Sequence, residues 1–161
     1  MRKIISICFI IVLSSCASNN PSLLTATDIV VLKQVEGTPN ITVLGGNSRF
    51  SNDVIRQAII NSMNNANIFD GSIRNLEITM TLQSVKEPIL GLDVTSVVRA
   101  NWKVVDQTTG NELFNENIIG SHTAAFFEHL IAAKRMKIAN DNAIKENIKQ
   151  GLVSIAKQIG K

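Results

Sequence analysis

The side chains that could do chemistry in this sequence are few and scattered. His122, Glu128 and His129 form a nitrogen and oxygen set of the kind that binds zinc. The histidines are seven positions apart, and no His-Glu-x-x-His spacing puts them on one helix face. They read as polar residues near a helix start. Ser154 and Lys157 fit Ser-x-x-Lys, in which a lysine can activate a serine nucleophile. The companion Ser-Asp-Asn and Lys-Thr-Gly motifs are missing, so the pair reads as helix surface. No Gly-x-Ser-x-Gly elbow supports a hydrolase. Gly45-Gly46-Asn47 before a helix could offer amides to an anion, but it lacks the lysine-bearing phosphate-loop pattern and reads as a strand-to-helix turn. The expectation is a protein that is not an enzyme and carries no cofactor or metal.

The remaining reactive groups are the thiols of Cys8 and Cys16, and they sit in a telling context. Arg2 and Lys3 precede an apolar run, Ile4 to Leu13, broken only by Ser6. Small residues, Ser14 and Ser15, then lead to Cys16. This is the layout of a secretory signal. The run is about half the roughly 20 residues that span a bilayer. Leu13-Ser14-Ser15-Cys16 resembles the lipobox of bacterial lipoproteins. That resemblance implies cleavage before Cys16 and acylation of its thiol and amine. Removing residues 1–15 of 161 leaves 146, enough for one domain with a sizeable core. The expected division is a signal over 1–15, a lipidated cysteine and tether over 16–27, and a single α+β domain over 28–161.

The formal charge of +3 falls to +1 once Arg2 and Lys3 are removed. No clustered basic face marks a nucleic-acid partner. Tyrosine is absent and Trp102 is the only tryptophan, which argues against an aromatic stacking platform. With Cys8 leaving with the signal and Cys16 taking lipid, the domain must be stabilised by packing alone.

The elements follow from hydrophobic period. Asp28–Val35 and Ile41–Leu44 read as two short strands joined by a turn at Gly37, Pro39 and Asn40. Ser51 or Asn52 can cap a helix whose Val54, Ile55, Ala58, Ile59, Met63 and Ala66 make one stripe. Leu76–Ser84 alternates strictly, as a strand with one wet face does. A second long strand runs from Asp93 to Val105, and Asp106–Asn111 turns the chain into a third, Glu112–Ile119. Helix occupies 124 to 158, with a short separate piece expected over 124–133. Gly151 is an expected weak point, at about 1 kcal/mol against Ala. The order β-β-α-β-β-β-α predicts an antiparallel sheet with two helices packed on one face. The tether, 17–27, would reach at most about 36–40 Å at ~3.3–3.6 Å per residue.

Lys134, Arg135 and Lys137 are the densest basic cluster, just after Phe126, Phe127, Leu130 and Ile131. With Ile89, Leu90 and Leu92 in another loop, these apolar residues lie at element ends. Lys134, Arg135, Lys137, Phe126 and Phe127 are the expected partner-binding residues.

Several stretches together resemble small Gram-negative envelope lipoproteins. They are the helix segment Phe50–Phe69, the alternating strand over 76–85, and the turn Trp102-Lys103-Val104-Val105-Asp106-Gln107-Thr108-Thr109-Gly110. A closing helix rich in Ala and Ile completes the set. The outline is similar to YajG-like lipoproteins and to auxiliary lipoproteins of lipid-transport ABC systems. In Gram-negative lipoproteins an aspartate after the lipidated cysteine retains the protein in the inner membrane. Ala17 and Ser18 stand there instead, which implies the outer membrane, facing the periplasm. The lipid anchor, the short tether, the one-domain core and the missing catalytic set lead to the expectation of a protein that binds another envelope component, in its most specific form an accessory to lipid transport. The alternative is an assembly factor or regulator of a secretion system or cell-wall synthase.

Overall fold

A computed structural model describes residues 20–86 and 92–161. Cys16, Ile89 and Leu90 lie outside the described residues. The elements are α1 (Pro21–Leu24), β1 (Thr38–Leu44), α2 (Asn52–Ala66), β2 (Asn75–Lys86), β3 (Val94–Asp106), β4 (Glu112–Ala124), a 3-10 turn (Phe126–Glu128) and α3 (Ala132–Ile159). The strands lie in the order β1-β2-β3-β4. The α+β class holds, but the expected order and pairing need correction. β1 runs parallel to β2, from Thr38 opposite Asn75 to Leu44 opposite Thr81. The helix α2 between them returns the chain to its starting end, so the next strand must run the same way. The other two pairings are antiparallel.

The expected strand over 28–35 does not form; only Val35 makes an isolated bridge, to Phe69. Within it Ile29 and Val35 are buried while Val30 and Leu32 are exposed. The segment lies across the helices, where no strand offers a ladder partner, and β propensity describes fit to a pleated surface rather than a backbone preference. The tether is corrected too. Asn20 caps α1, and Leu24 and Ala26 are fully buried. Residues 20–36 form a strap tied onto the domain. The Ala26 amide donates to Ser62 Oγ at 2.8 Å, and Asp28 pairs with Lys149. The backbone amides of Val35 and Lys161 donate to Ile68 O and Gln34 O. An apolar segment that covers core surface is stabilised by that burial, whatever its secondary structure.

The helix α2 forms as its sequence dictates. The Val54 amide donates to the capping Ser51 Oγ, Asp53 lies in the positive first turn, and Asn67 ends the helix at φ +49°. Its Ile55, Ala58, Ile59 and Met63 meet Ile41, Ile78, Met80 and Val104 in one core with Ile144, Ile148, Leu152 and Ile155 of α3. Both long helices therefore cover one face of the sheet and leave the other to water.

One set of contacts seats α3. Trp102 is fully buried, and its indole N–H donates to Asn147 Oδ1 at 3.0 Å. The Asn147 amide donates in turn to Ile118 O at 2.8 Å, so the buried amide is satisfied from both sides. Gly120 lets the helix backbone approach β4, since a Cβ there would fall 2.2 Å from Ala143 O. A Cβ at Gly151 would fall 2.5 Å from the Trp102 ring. The glycine that weakens the helix in isolation is what admits the indole.

At the far end of β3, Asp106 organises the hairpin. Its Oδ1 accepts the amides of Thr108 and Thr109, and its Oδ2 pairs with Arg74 at 2.9 Å. Arg74 and these amides hold its carboxyl below the usual range. Gly110 takes the left-handed conformation at φ +72°.

Candidate docking surface at the tip

Where β4 ends, the chain must turn back over the sheet to start α3. Ala124 packs with Val94 and Ala139 in a small satellite core. Phe126 and Phe127 then form the 3-10 turn, their rings edge to face with centroids 5.5 Å apart. The Phe126 amide donates to Asp93 Oδ1 at 3.0 Å, which ties this loop to the start of β3. The Ala125 amide donates to Glu128 Oε1 and the Ile131 amide to His129 Nδ1. Each bond uses a side chain to satisfy an amide that has left the sheet and has not entered the helix.

Arg135 locks the turn. Only 4% exposed, its Nη1 donates to the carbonyls of His129 at 2.6 Å and Leu130 at 3.0 Å. Its guanidinium lies 5.2 Å from the Phe126 ring centre. A cation so placed is attracted to the ring face, by up to about 2 kcal/mol when desolvated. Arg135 is thus an internal clamp, and it leaves the surface expected of it. Lys137 is drawn along the helix to Asp141 at 2.5 Å. Phe126 is half-buried beneath the clamp. Of the five expected partner-binding residues, Phe127 and Lys134 stand in solvent.

What the clamp holds out is apolar. Phe127 is 91% exposed and Leu130 76%, with Ile131 and Leu92 beside them at the ends of the two loops. Single exposed apolar residues are ordinary, but four at one end of a small domain form a patch of the kind that marks interaction surfaces. Lys134 stands in the first turn of α3, just after them in the chain. Leu92, Leu130 and Ile131 are visible in the sequence as apolar residues at element ends. The role of Arg135 is not.

The other sequence candidates stay apart. His122 Nε2 lies 3.3 Å from the Asn142 amide, while His129 and Glu128 hold backbone amides. Among the described residues no group of three or more His, Cys, Asp or Glu side chains is gathered to hold a metal. The Gly46 amide is taken by Asn52 Oδ1 and the Asn47 amide by Phe50 O, so the loop before α2 is closed on itself. Ser154 is half-buried and Lys157 exposed, with no hydrogen bond between them. Among the described residues no helix is long and apolar enough to cross a membrane.

No protein-family model matches the chain, and no curated protein matches it. Solved structures do. A candidate lipoprotein from Caulobacter crescentus CB15 superposes with a TM-score of 0.52 at 12% identity, over 74% of this chain and 88% of its own. Protein XCC0632 from Xanthomonas campestris, of the DUF330 family, superposes with a TM-score of 0.54 at 8% identity, over 80% of this chain and 97% of its own. The chain shares its fold with these proteins of Gram-negative bacteria. At such low identity the likeness is one of fold, and function must be argued from the surface.

Proposed function

We propose that this chain is a non-enzymatic lipoprotein, held on the periplasmic face of the outer membrane by an acylated Cys16, and that its tip docks onto another protein of the envelope. The observation that carries the docking role is the rigid apolar tip. Phe127, Leu130 and Ile131 are held in solvent by a buried arginine rather than folded into the core. Aromatic and aliphatic anchors on a preorganised loop are what a protein groove takes up, because little side-chain or backbone freedom is lost on binding. Lys134 behind the patch favours a partner with a carboxylate at the rim. The anchor rests on the Leu13–Cys16 motif and is supported by the shared fold. The resemblance to auxiliary lipoproteins favours a partner that moves lipid across the envelope.

A photo-crosslinking residue placed at Phe127 in cells tests this. The expected adduct joins the chain to one envelope-complex subunit and disappears when Leu130 and Ile131 are changed to serine. Adducts with phospholipid alone, or a protein adduct indifferent to the serine changes, would sink the docking role. Subunits of a lipid-transport complex in the adduct support the favoured partner class; secretion subunits or wall synthases support the assembly role instead.

A further inference from the structure

The strap carries a second exposed apolar set, and its position relative to the anchor gives it an occupant. Leu32 is 98% exposed, Val30 78% and Leu23 of α1 46%. They are interspersed with Leu24, Ala26, Ile29 and Val35, which face the core. The strap lies over the helical layer, so the open residues look outward from that layer. Between strap and α3 runs a groove of about 290 Å³, walled by Val30, Val31, Val153 and Ala156 with Lys33 and Lys157 beside them. Lys145 stands nearby, close enough to add to the field at Asp28. Lys33, Lys145 and Lys157 make no ion pair among the described residues, whereas Lys149 is taken by Asp28.

The chain length outside this layer is short. Asn20, the first described residue, caps α1. Four peptide links separate Asn20 from Cys16, a reach of at most about 14 Å. An acylated Cys16 would therefore hold the helical layer close to the membrane surface, not at the end of a long tether. Apolar side chains beside unpaired lysines suit that position: the first enter the acyl boundary and the second meet phosphates.

We propose that the strap and the C-terminal half of α3 seat the domain on the bilayer that holds its anchor. Leu23, Val30 and Leu32 enter the interface, and Lys33, Lys145 and Lys157 meet anionic phospholipid headgroups. The uncovered sheet face then looks away from the membrane. The tip lies about 30 Å along α3 from the groove, counting ~1.5 Å per residue from Ala132 to Val153.

This rests on the lipid-anchor reading, and the test separates the two. The lipidated chain is purified with one added cysteine, L32C, R99C or F127C, carrying an environment-sensitive fluorophore. Each is placed in phosphatidylethanolamine–phosphatidylglycerol vesicles containing brominated lipid. Quenching at position 32 should exceed that at position 99, on the open sheet face, by at least about twofold, as expected for side chains reaching the acyl boundary. Lys33→Glu with Lys157→Glu should remove most of that excess. Equal quenching at 32 and 99 overturns the proposal, and so does quenching at 127 in place of 32. A mature mass without acyl chains refutes the anchor instead. The strap contact is then judged by adding the same vesicles to that unacylated protein, and an unquenched position 32 overturns it.

Discussion

The tip and the strap display the same kinds of side chain at opposite ends of α3, apolar groups beside lysines, yet each is held in place differently. The tip is locked from within, by a buried guanidinium that gathers two carbonyls and an aromatic ring. The strap is held from its edges. Its Leu24, Thr25, Ala26, Ile29 and Val35 are buried, and its polar ties at Asp28 and Glu36 are exposed ion pairs with Lys149 and Lys161. A buried clamp with neutral acceptors keeps its shape across pH and salt, as a protein-docking surface must. Exposed ion pairs yield to both, and a flat lipid surface demands less precision from the groups that meet it.

The largest effect separates the two regions outright. Cys16→Ala should abolish acylation and release the protein from membranes, because stable anchoring needs more than one acyl chain at about 0.8 kcal/mol per buried CH₂. Membrane fractionation and intact mass read this out. The tip should remain folded and bind its partner in solution as before, whereas the strap contact should weaken and show only when anionic vesicles are added in excess. A mature wild-type chain with no added acyl mass would end the anchor reading.

Next is a change that removes the support both regions share. Trp102→Ala takes out the largest buried side chain and leaves Asn147 Oδ1 without its indole donor. The expected loss is about 3–5 kcal/mol, a large share of the ~5–15 kcal/mol that holds a domain together. Urea unfolding measures it. A loss below about 1 kcal/mol would show that α3 is not seated through this ring.

Legibility divides along the same line. The helix α2 was readable because its cap and stripe are local, and the β3–β4 hairpin because Asp106 and Gly110 act within their own turn. The apolar residues of the tip were readable as residues at element ends. The strap is not: Ile29, Val30, Val31 and Leu32 make the kind of apolar, largely β-branched run that a strand carries, and only the three-dimensional arrangement shows helices beneath them instead of a sheet edge. Gly151 looked like a defect, since helix propensity takes no account of an indole from β3. Nothing around Arg135 announces that two carbonyls five and six residues earlier will converge on it, so its charge read as surface.

Arg135→Ala is therefore the change that should break the tip alone. It removes two hydrogen bonds from a charged donor and leaves the carbonyls of His129 and Leu130 unpaired, at a cost of about 1–3 kcal/mol. The effect should concentrate in faster hydrogen exchange at Phe126 and Ile131, with Ala26 in the strap unchanged. Partner recovery should fall although Phe127 and Leu130 are intact. Uniform acceleration throughout the domain would mean that the clamp supports the whole fold and not the tip.

The smallest effect tests the strap and its dependence on pH. Lys149 donates a hydrogen bond to Asp28 and holds its carboxyl below the usual range, and Asp28 in turn raises the Lys149 ammonium. With the folded carboxyl depressed, the unfolded chain binds more protons in acid. The contribution is thus complete above about pH 4, the unfolded value, and is lost as pH falls through the folded one. The lysine works at the other end: its share is complete below about pH 10 and is lost as pH rises through its raised value. Both partners reach solvent, so the pair contributes no more than about 1 kcal/mol. Asp28→Asn should loosen the strap at neutral pH by that small amount, read as exchange at Ala26, and should flatten its response between pH 5 and the acid limit. About 1 M salt, where the screening length is about 3 Å, should imitate the substitution in the strap. The Arg135 clamp, buried and bonded to carbonyls, should scarcely respond to the same salt. If salt loosens tip and strap alike, the difference drawn between a clamp held from within and a strap held at its edges is wrong.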